Sequence, residues 1–517
     1  MSSFVNGLLK AWRNLAVLVI LISFGAAAQQ AAVRSRQFLP GTMTRLEEIP
    51  AGRLRTHLDQ LPAAARDHAF QILRNFHFTE LDLNSLETDP QGGIYYADVF
   101  PAIPPVVVVA DTNPVAPLVA QAAVPVSPFP SSLVFHSRPG AQNVIYLNFT
   151  GETVANTAWN TSLGRAQIPA VPFSTDSDFT TFSDAEQVAI QRVWLRVSED
   201  YAPFDVDVTT ERPATFTATT AEALITRSTD ADGNANPSSA GGGVAYVNVF
   251  GTSSYSTYRP AWIYYNNLAN DESYTAEAAS HEIGHNLGLS HDGKTDGTEY
   301  YGGHGTGDTS WGPIMGTGYY RNVSEWSKGE YYLANNTQDD LATIAAKIPY
   351  RADDHGDTEA AATPIIITGG TNIVSTRPDT DPTNQNPANK GVLEQSTDVD
   401  VFSFVTGNGP VNIQVNPWIM PSGTRGGNLD VLVELHDNAG TLLLTNNPAA
   451  QTLALIQTNL PIGKYYLHIR NTGVGTPMDP TPTGYTPYAS IGQYFISGSI
   501  TPVAAPGPPV NLRISAN

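Results

Sequence analysis

The sequence predicts an α/β domain with a mainly parallel sheet and long helices, followed by an all-β sandwich. Between residues 134 and 350, apolar runs of strand length alternate with helical patterns in the order β-α-β-β-β-α. After residue 351 the helical patterns stop, and short alternating strands separated by Gly, Pro and Asn turns continue to about residue 500. The last helix of the α/β part carries a histidine motif, and we expect this helix to lie in a cleft.

The elements of the α/β part follow one another closely. The first buried strand is expected at residues 143–149, and a capping box, Ser183-x-x-Glu186, opens the first long helix. Further strands are expected at 204–208, 243–250 and 261–265, and the last helix at 275–287. The strand at 261–265 has two open interpretations: an exposed edge that pairs with an extended substrate, or an ordinary core strand.

The motif H-E-x-x-H-x-x-G-x-x-H-D begins at His281. His281 and His285 are four residues apart, so on a helix both imidazoles point from one face toward one metal. Gly288 can adopt a positive φ, which ends the helix and allows the chain to bring His291 back as a third ligand. Because three protein ligands leave one zinc position open, the pattern is typical of a catalytic zinc site.

Glu282 follows the first histidine and is placed to act as general base on a metal-activated water. The alternative is an amphipathic helix whose histidines merely face solvent. Five fixed positions should coincide by chance in about one of 10⁵ chains of this composition, which favours the metal site.

Composition limits the class of protein. The chain has 517 residues and a formal net charge of −21, which argues against nucleic acid as a partner because nucleic-acid binding needs a basic face. It has no cysteine, so neither a cysteine nucleophile nor a prodomain thiolate on the zinc is available. We expect a monomer.

The N-terminus has the pattern of a secretory signal peptide at residues 1–28, with Lys10 and Arg13 before a ten-residue apolar core and an A-x-A site. Secretion is therefore expected, with no membrane span in the mature form. Residues 29–100 are interpreted as the pro-region of a zymogen, and 101–133 as a proline-rich linker suited to processing. Residues 501–517 are interpreted as a second proline-rich linker or a tail.

With the motif placed on a helix, residues 134–350 resemble the catalytic domain of secreted metzincin zinc metalloproteases. Asp292 after the third histidine is most similar to the reprolysin-type branch. The resemblance implies a Met-turn beneath the zinc, for which Met315 is the match, and a supporting role for Asp292 beside the ligands. Some metzincins add a tyrosine ligand two residues after this methionine. Here Thr317 occupies that position, so no tyrosine ligand is expected.

Residues 351–500 are similar to bacterial pre-peptidase C-terminal domains, which are small β-sandwiches appended to secreted peptidases. The segments that carry this resemblance are 391–393, 398–404, 428–430 and 461–467.

The two resemblances imply a secreted zinc endopeptidase that acts on proteins or peptides, with zinc bound by His281, His285 and His291 and Glu282 as catalytic base. Two alternatives remain: a secreted binding or adhesion protein that keeps the zinc site without proteolysis, and hydrolysis of a non-peptide amide or ester. Calcium is a second candidate ion, since three acidic residues at the start of the β-sandwich and two further along it could form a site, and hard oxygen ligands suit that ion; the alternative is that these residues lie in solvated turns. These residues are Asp353, Asp354, Asp357, Asp398 and Asp400.

Overall fold

A computed structural model describes residues 36–99, 122–379, 381, 385–420 and 426–503. The expected signal peptide, most of the first linker and most of the tail lie outside these residues. Among the described residues, none of the helices has the length and apolar character needed to span a bilayer.

The N-terminal region (residues 36–99) is a small helical unit with a terminal hairpin. Its core is apolar and also contains Val247 of the following domain. Helix α2 begins directly after Pro62, where a helix is expected from the sequence over residues 62–76, and Leu61 and Pro62 separate it from the preceding helix α1. The elements are β1 (Gln37–Phe38), α1 (Arg53–Gln60), α2 (Ala63–Arg74), β2 (Phe78–Thr79), β3 (Leu86–Thr88) and β4 (Ile94–Asp98), with 3₁₀ turns at Leu46–Glu48 and Leu81–Asn84.

The central domain (residues 134–350) contains the expected strands and both long helices. Ser183 and Glu186 cap α4 reciprocally, as the capping box predicts. The elements, from residue 124 on, are β5 (Val124–Pro125), β6 (Asn143–Asn148), β7 (Glu152–Ala155), α3 (Ala158–Leu163), β8 (Gln167–Ala170), β9 (Thr181–Phe182), α4 (Asp184–Asp200), β10 (Val206–Thr209), β11 (Thr220–Thr226), β12 (Gly243–Tyr246), α5 (Tyr255–Tyr258), β13 (Ala261–Tyr264), α6 (Glu272–Leu287), β14 (Trp311–Pro313), β15 (Val323–Glu325) and α7 (Asp340–Ala345), with 3₁₀ turns at Ser131–Leu133 and Gly318–Tyr320.

A seven-stranded sheet joins the N-terminal region to the central domain, in the order β10-β6-β11-β13-β12-β4-β3. The pairs from β10 to β13 are parallel, and those from β13 to β3 are antiparallel. Two strands of one sheet therefore come from the N-terminal region. Helix α6 packs against β11, β12 and β13, and against α4, which holds the histidine helix over the sheet.

The strand β13 is a core strand and not an exposed edge. It lies between β11 and β12, and all four of its residues are buried. Strand β11, which was not expected from the sequence, lies between β13 and β6. The interpretation of residues 261–265 as a substrate-binding edge is therefore wrong, because β11 and β12 cover both sides of β13.

The C-terminal module (residues 351–503) is mostly sheet. Its main sheets have the orders β16-β20-β25-β22-β23 and β17-β18-β28-β21-β24, with β19 also paired to β28. Inward residues of both sheets form one apolar core. The strands are β16 (Thr363–Pro364), β17 (Ile367–Thr368), β18 (Asn372–Ile373), β19 (Lys390–Leu393), β20 (Asp400–Thr406), β21 (Gly409–Pro417), β22 (Val431–Asp437), β23 (Leu442–Asn446), β24 (Ala454–Leu460), β25 (Gly463–Asn471), β26 (Val474–Gly475), β27 (Gly484–Tyr485) and β28 (Gly492–Ser499).

The C-terminal module is packed closely against the central domain. Trp418 and Phe495 of the module belong to the apolar core of the central domain. Gln493 donates from its backbone and side-chain amides to the carboxylate of Glu199 on α4 (3.2 and 2.8 Å). The described part of the expected linker, residues 122–133, also packs on the central domain, where β5 pairs with β9.

Candidate metal centre

Helix α6 carries the first two histidines, and the residues at both its ends fix where it begins and stops. The Asp271 carboxylate caps the first turn by accepting from the amides of Ser273 and Tyr274. The helix ends at Gly288, whose φ of 104° is in the left-handed region. The chain then reverses, and the Leu289 amide donates to the Gly284 carbonyl (2.9 Å), which directs the next residues back toward the helix.

The three histidines converge on one point through their Nε2 atoms. His281 donates from Nδ1 to the carbonyl of Ile314 (2.9 Å), and His285 donates from Nδ1 to the carbonyl of Leu289 (2.8 Å). These bonds leave the Nε2 lone pairs facing inward. The Nε2 atoms of His285 and His291 are 3.2 Å apart, and all three side chains are buried.

This donor set fits a zinc ion. Three imidazole nitrogens at about 2.1 Å from one tetrahedral ion would be about 3.4 Å from one another. The Nε2–Nε2 distance between His285 and His291 is close to that value, and imidazole is a preferred ligand of zinc. The chain therefore provides three nitrogen ligands, all with their second ring nitrogen held by a neighbour.

The carboxylate of Asp98, at the end of β4, occupies the fourth side of this cluster. Asp98 Oδ2 is 3.3 Å from His281 Nε2 and 3.2 Å from His285 Nε2, and Oδ1 is 3.1 Å from His291 Nε2. Asp98 and the histidines together form a four-residue group that could hold a metal ion. Tyr300 donates its hydroxyl to Asp98 Oδ1 (3.0 Å). One aspartate of the N-terminal region thus contacts every expected ligand.

The N-terminal region also holds the third histidine from behind. Asp82 Oδ1 is 3.2 Å from His291 Nδ1, and it accepts from the His291 backbone amide at the same distance. Burial opposes a charge on His291, but the carboxylates of Asp98 and Asp82 outweigh it and raise the pKa of His291 to about 10. His285 differs, because burial lowers its pKa to about 4.

Glu282 lies beside the histidine cluster and is shielded from solvent. It is fully buried, and burial together with the neighbouring Asp98 carboxylate raises its pKa well above the usual range. Gly243 on β12 makes room for it, because a Cβ on Gly243 would overlap the Glu282 carboxylate. No local pattern marks Gly243, since its contact with Glu282 joins residues far apart in the chain.

Met315 lies under the helix, as the Met-turn comparison implies. It is buried, and a Cβ on Gly284 would come within 2.7 Å of its sulfur. Its carbonyl accepts from the Asp292 amide (2.8 Å). Burial of the Asp292 side chain and the nearby Glu330 carboxylate raise the pKa of Asp292. The carboxylate nearest to His291 Nδ1 is that of Asp82, and a role for Asp292 toward the metal stays a prediction.

The acidic residues expected to bind calcium are only partly brought together. Asp353 and Asp398 form a group with Glu394, which the sequence analysis did not include. Asp400 instead accepts from the Tyr494 hydroxyl (2.6 Å). Asp354 accepts from the Val392 amide and from Arg351 (3.4 and 3.1 Å).

The contacts that sequence reasoning missed all come from outside the motif. Asp82 and Asp98 belong to the N-terminal region, and the Tyr96 ring stacks on His285 at 3.9 Å. The sequence signal for β4 was the alternating run beginning at residue 94, but nothing in it marks Asp98 as a partner of the histidines. Its position follows from pairing with β12, where Asp98 is opposite Gly243.

The comparisons with known proteins cover two parts of the chain. A model of metallopeptidase family M12 (Reprolysin_5) matches residues 153–327, which contain the histidine cluster and Met315. No curated protein matches the chain. Among solved structures, it is similar to the pre-peptidase C-terminal domain of a collagenase from Bacillus anthracis, at 17% identity and a TM-score of 0.13, covering 21% of this chain and 84% of that one.

Residues 153–327 are therefore similar to the metallopeptidases of family M12, which use zinc and act on proteins. The prediction of a protease is confirmed at this level.

Proposed function

We propose that the protein is a secreted zinc endopeptidase that is made as a latent precursor. The observation that carries the proposal is the convergence of His281, His285 and His291, with Glu282 buried beside them. The signal pattern at residues 1–28 supports secretion.

Each residue of the site has a separate role in the proposed reaction. Zinc held by the three histidines would supply a Lewis acid that polarises the scissile carbonyl and acidifies a water molecule. Glu282 takes the proton of the attacking water and gives it to the leaving amine. Gly243 keeps space for the Glu282 carboxylate, and Met315 supports the helix from below. The carbonyls of Ile314 and Leu289 fix the orientation of two imidazoles.

The first test is casein cleavage by the processed protein, with and without a chelator, beside Glu282→Gln. We expect the variant to retain zinc and lose activity by about 10²–10⁴-fold, since it can no longer accept a proton. His285→Ala should lose both zinc and activity. A wild-type protein that binds zinc but cleaves neither proteins nor peptides would instead support the alternative of a secreted binding protein.

We further propose that the N-terminal region keeps the precursor latent by two contacts. Asp98 lies 3.1–3.3 Å from the Nε2 atoms of the three histidines, which is the separation that a fourth ligand of the same ion would have. Strand β4 also pairs antiparallel with β12. An extended substrate binds most simply by adding a strand to an exposed edge, and β4 occupies the edge next to Glu282.

Removal of the N-terminal region would free β12 and the fourth metal position together. The expected linker at residues 101–133 follows β4 directly and is the natural place for that cleavage. Latency without a cysteine is thereby explained by a carboxylate.

Latency is tested on the unprocessed chain with Asp98→Ala. We expect measurable cleavage of short peptides and a zinc site that exchanges with added chelator faster than in wild type. Glu87→Gln is the control, because Glu87 pairs with Arg53 and His57 within the N-terminal region. If Asp98→Ala is as inactive as wild type and its zinc exchanges no faster, the carboxylate does not cause latency.

Calcium binding at the start of the C-terminal module is a separate proposal. Glu394 is buried, and burial with the nearby Asp354 and Asp398 carboxylates raises its pKa to about 10, so a divalent ion between Asp353, Glu394 and Asp398 would relieve their repulsion. A calcium-dependent rise in Tm that Asp398→Asn removes is the expected result. A rise of the same size in the variant would contradict the site.

A further inference from the structure

A pair of histidines lies on the outer face of the C-terminal module, away from the metallopeptidase site. His436 is on β22 and His468 is on the neighbouring antiparallel strand β25, where the register places Glu434 opposite His468. His436 and His468 are therefore diagonal neighbours on one face, while Val433 and Leu435 point into the core. Their rings stack with centroids 4.1 Å apart.

A carboxylate from another segment reaches the same point. Glu359, in the turn that leads into the β-sandwich, has Oε1 3.6 Å from His468 Nε2. One ligand atom each of Glu359, His436 and His468 lies within 4.8 Å of the others. Glu434 Oε2 is 3.7 Å from His436 Nε2, near enough to complete a set of four.

The ring nitrogens are oriented as ligand atoms. His436 Nδ1 is 3.3 Å from the Gly440 carbonyl in the β22–β23 turn, which assigns the Nδ1 proton and leaves a lone pair on Nε2. The Nε2 atoms of His436 and His468 are both buried and have no hydrogen-bond partner. Leaving a buried ring nitrogen without a partner is unfavourable, so two such nitrogens side by side indicate a binding site for an ion between them.

Ordinary ion pairing explains this cluster poorly. The histidine–carboxylate distances of 3.6 and 3.7 Å are longer than a hydrogen bond. Arg470 lies 3.4 Å from Glu434 and already provides it with a cation. Burial and the adjacent His436 lower the pKa of His468, and two stacked rings repel when both are charged. Neutral imidazoles that share one cation satisfy all these groups.

We propose that Glu359, His436 and His468 bind a divalent transition-metal ion, with zinc as the expected occupant. Two imidazoles and a carboxylate are a ligand set that zinc accepts readily. The side chains of His436 and His468 are 14% and 12% exposed and that of Glu359 is 31% exposed, so an ion can enter from solvent. The ion fastens the turn at Glu359 to two central strands of the sheet.

The test measures zinc stoichiometry on the full chain. After chelator treatment and dialysis against zinc, we expect two tightly bound ions per chain in wild type and one in His468→Ala. Glu359→Gln is a second variant, because its side chain lies at the surface and its loss leaves both strands intact. Glu359→Gln should lower the affinity for the same ion. His68→Asn is the control, since His68 is exposed on α2, and should bind as wild type does.

The outcome is independent of peptidase activity. His285→Ala should lose the ion of the α6 site and keep this one, so that His285→Ala and His468→Ala each bind one ion and the double variant binds none. The bound zinc should also raise the Tm of His285→Ala, but not that of the double variant. If His468→Ala and Glu359→Gln bind as many ions as wild type, with equal affinity, the site does not exist.

Discussion

At the scale of single residues, the metal centre depends on space as much as on ligands. Glu282 is fully buried against β12, and only a residue without a side chain at position 243 leaves its carboxylate in place. A general base must lie within hydrogen-bond reach of the water it activates. A small displacement of Glu282 should therefore affect activity and spare metal binding.

Gly243→Ala tests this requirement. We expect activity of the processed protein to fall by about 10²-fold or more, with zinc content unchanged because no ligand is touched. Gly302→Ala is the control, since the nearest atom to its added Cβ would be Thr317 Oγ1 at 3.6 Å. Full activity of Gly243→Ala in a cleavage assay would show that Glu282 tolerates the shift.

At the scale of elements, the end of α6 determines whether the third histidine reaches the metal. Periodicity places His281 and His285 on one helical face, but His291 returns only because the chain turns at Gly288 in the left-handed region. A non-glycine residue pays a steric penalty in that region. Helix termination and ligand geometry are thus one structural feature.

Gly288→Ala should lower the free energy of unfolding by about 1–2 kcal/mol and weaken zinc binding as well, because His291 moves with the turn. Gly164→Ala is a matched control. Gly164 ends α3 with a φ of 63° and has no atom within 4 Å of an added Cβ, so it should show the stability loss alone. Zinc titration and thermal melting separate the two effects, and equal zinc affinity in both variants would refute the coupling.

At the scale of the whole molecule, the C-terminal module is built into the central domain. Glu199 of α4 is buried at the junction, where burial raises its pKa to about 8 although Gln493 donates two hydrogen bonds to it. A carboxyl group whose pKa is raised on folding favours the folded state at low pH. This contribution is complete below about pH 4.5 and is lost as the pH rises to about 8.

Glu199→Gln should remove this dependence. We expect the variant and wild type to have similar Tm at about pH 4.5, and the variant to be more stable at about pH 9, by about 1.4 kcal/mol for each unit of pKa shift avoided. The Gln493 amide can turn to pair with the new side chain. Thermal melts at both pH values provide the check, and a Tm difference that does not change with pH would contradict the assignment.

Local patterns in the sequence predicted the parts of the molecule that are held by neighbouring residues. The capping box at Ser183, the helix that carries His281 and His285, the turn at Gly288 and the change to a β-rich module after residue 351 all depend on spacing along the chain. Each is a property of one element, whose periodicity and end residues are visible in the sequence.

Only the tertiary structure determined which distant residues meet. Asp98 reaches the three histidines because β4 pairs with β12, and Glu359 reaches His436 and His468 because a turn crosses the outer face of a sheet. Strand pairing between distant segments depends on packing of the whole chain, which a local pattern does not record. The histidine motif was visible in the sequence, whereas the fold decides which groups from the rest of the chain surround its histidines.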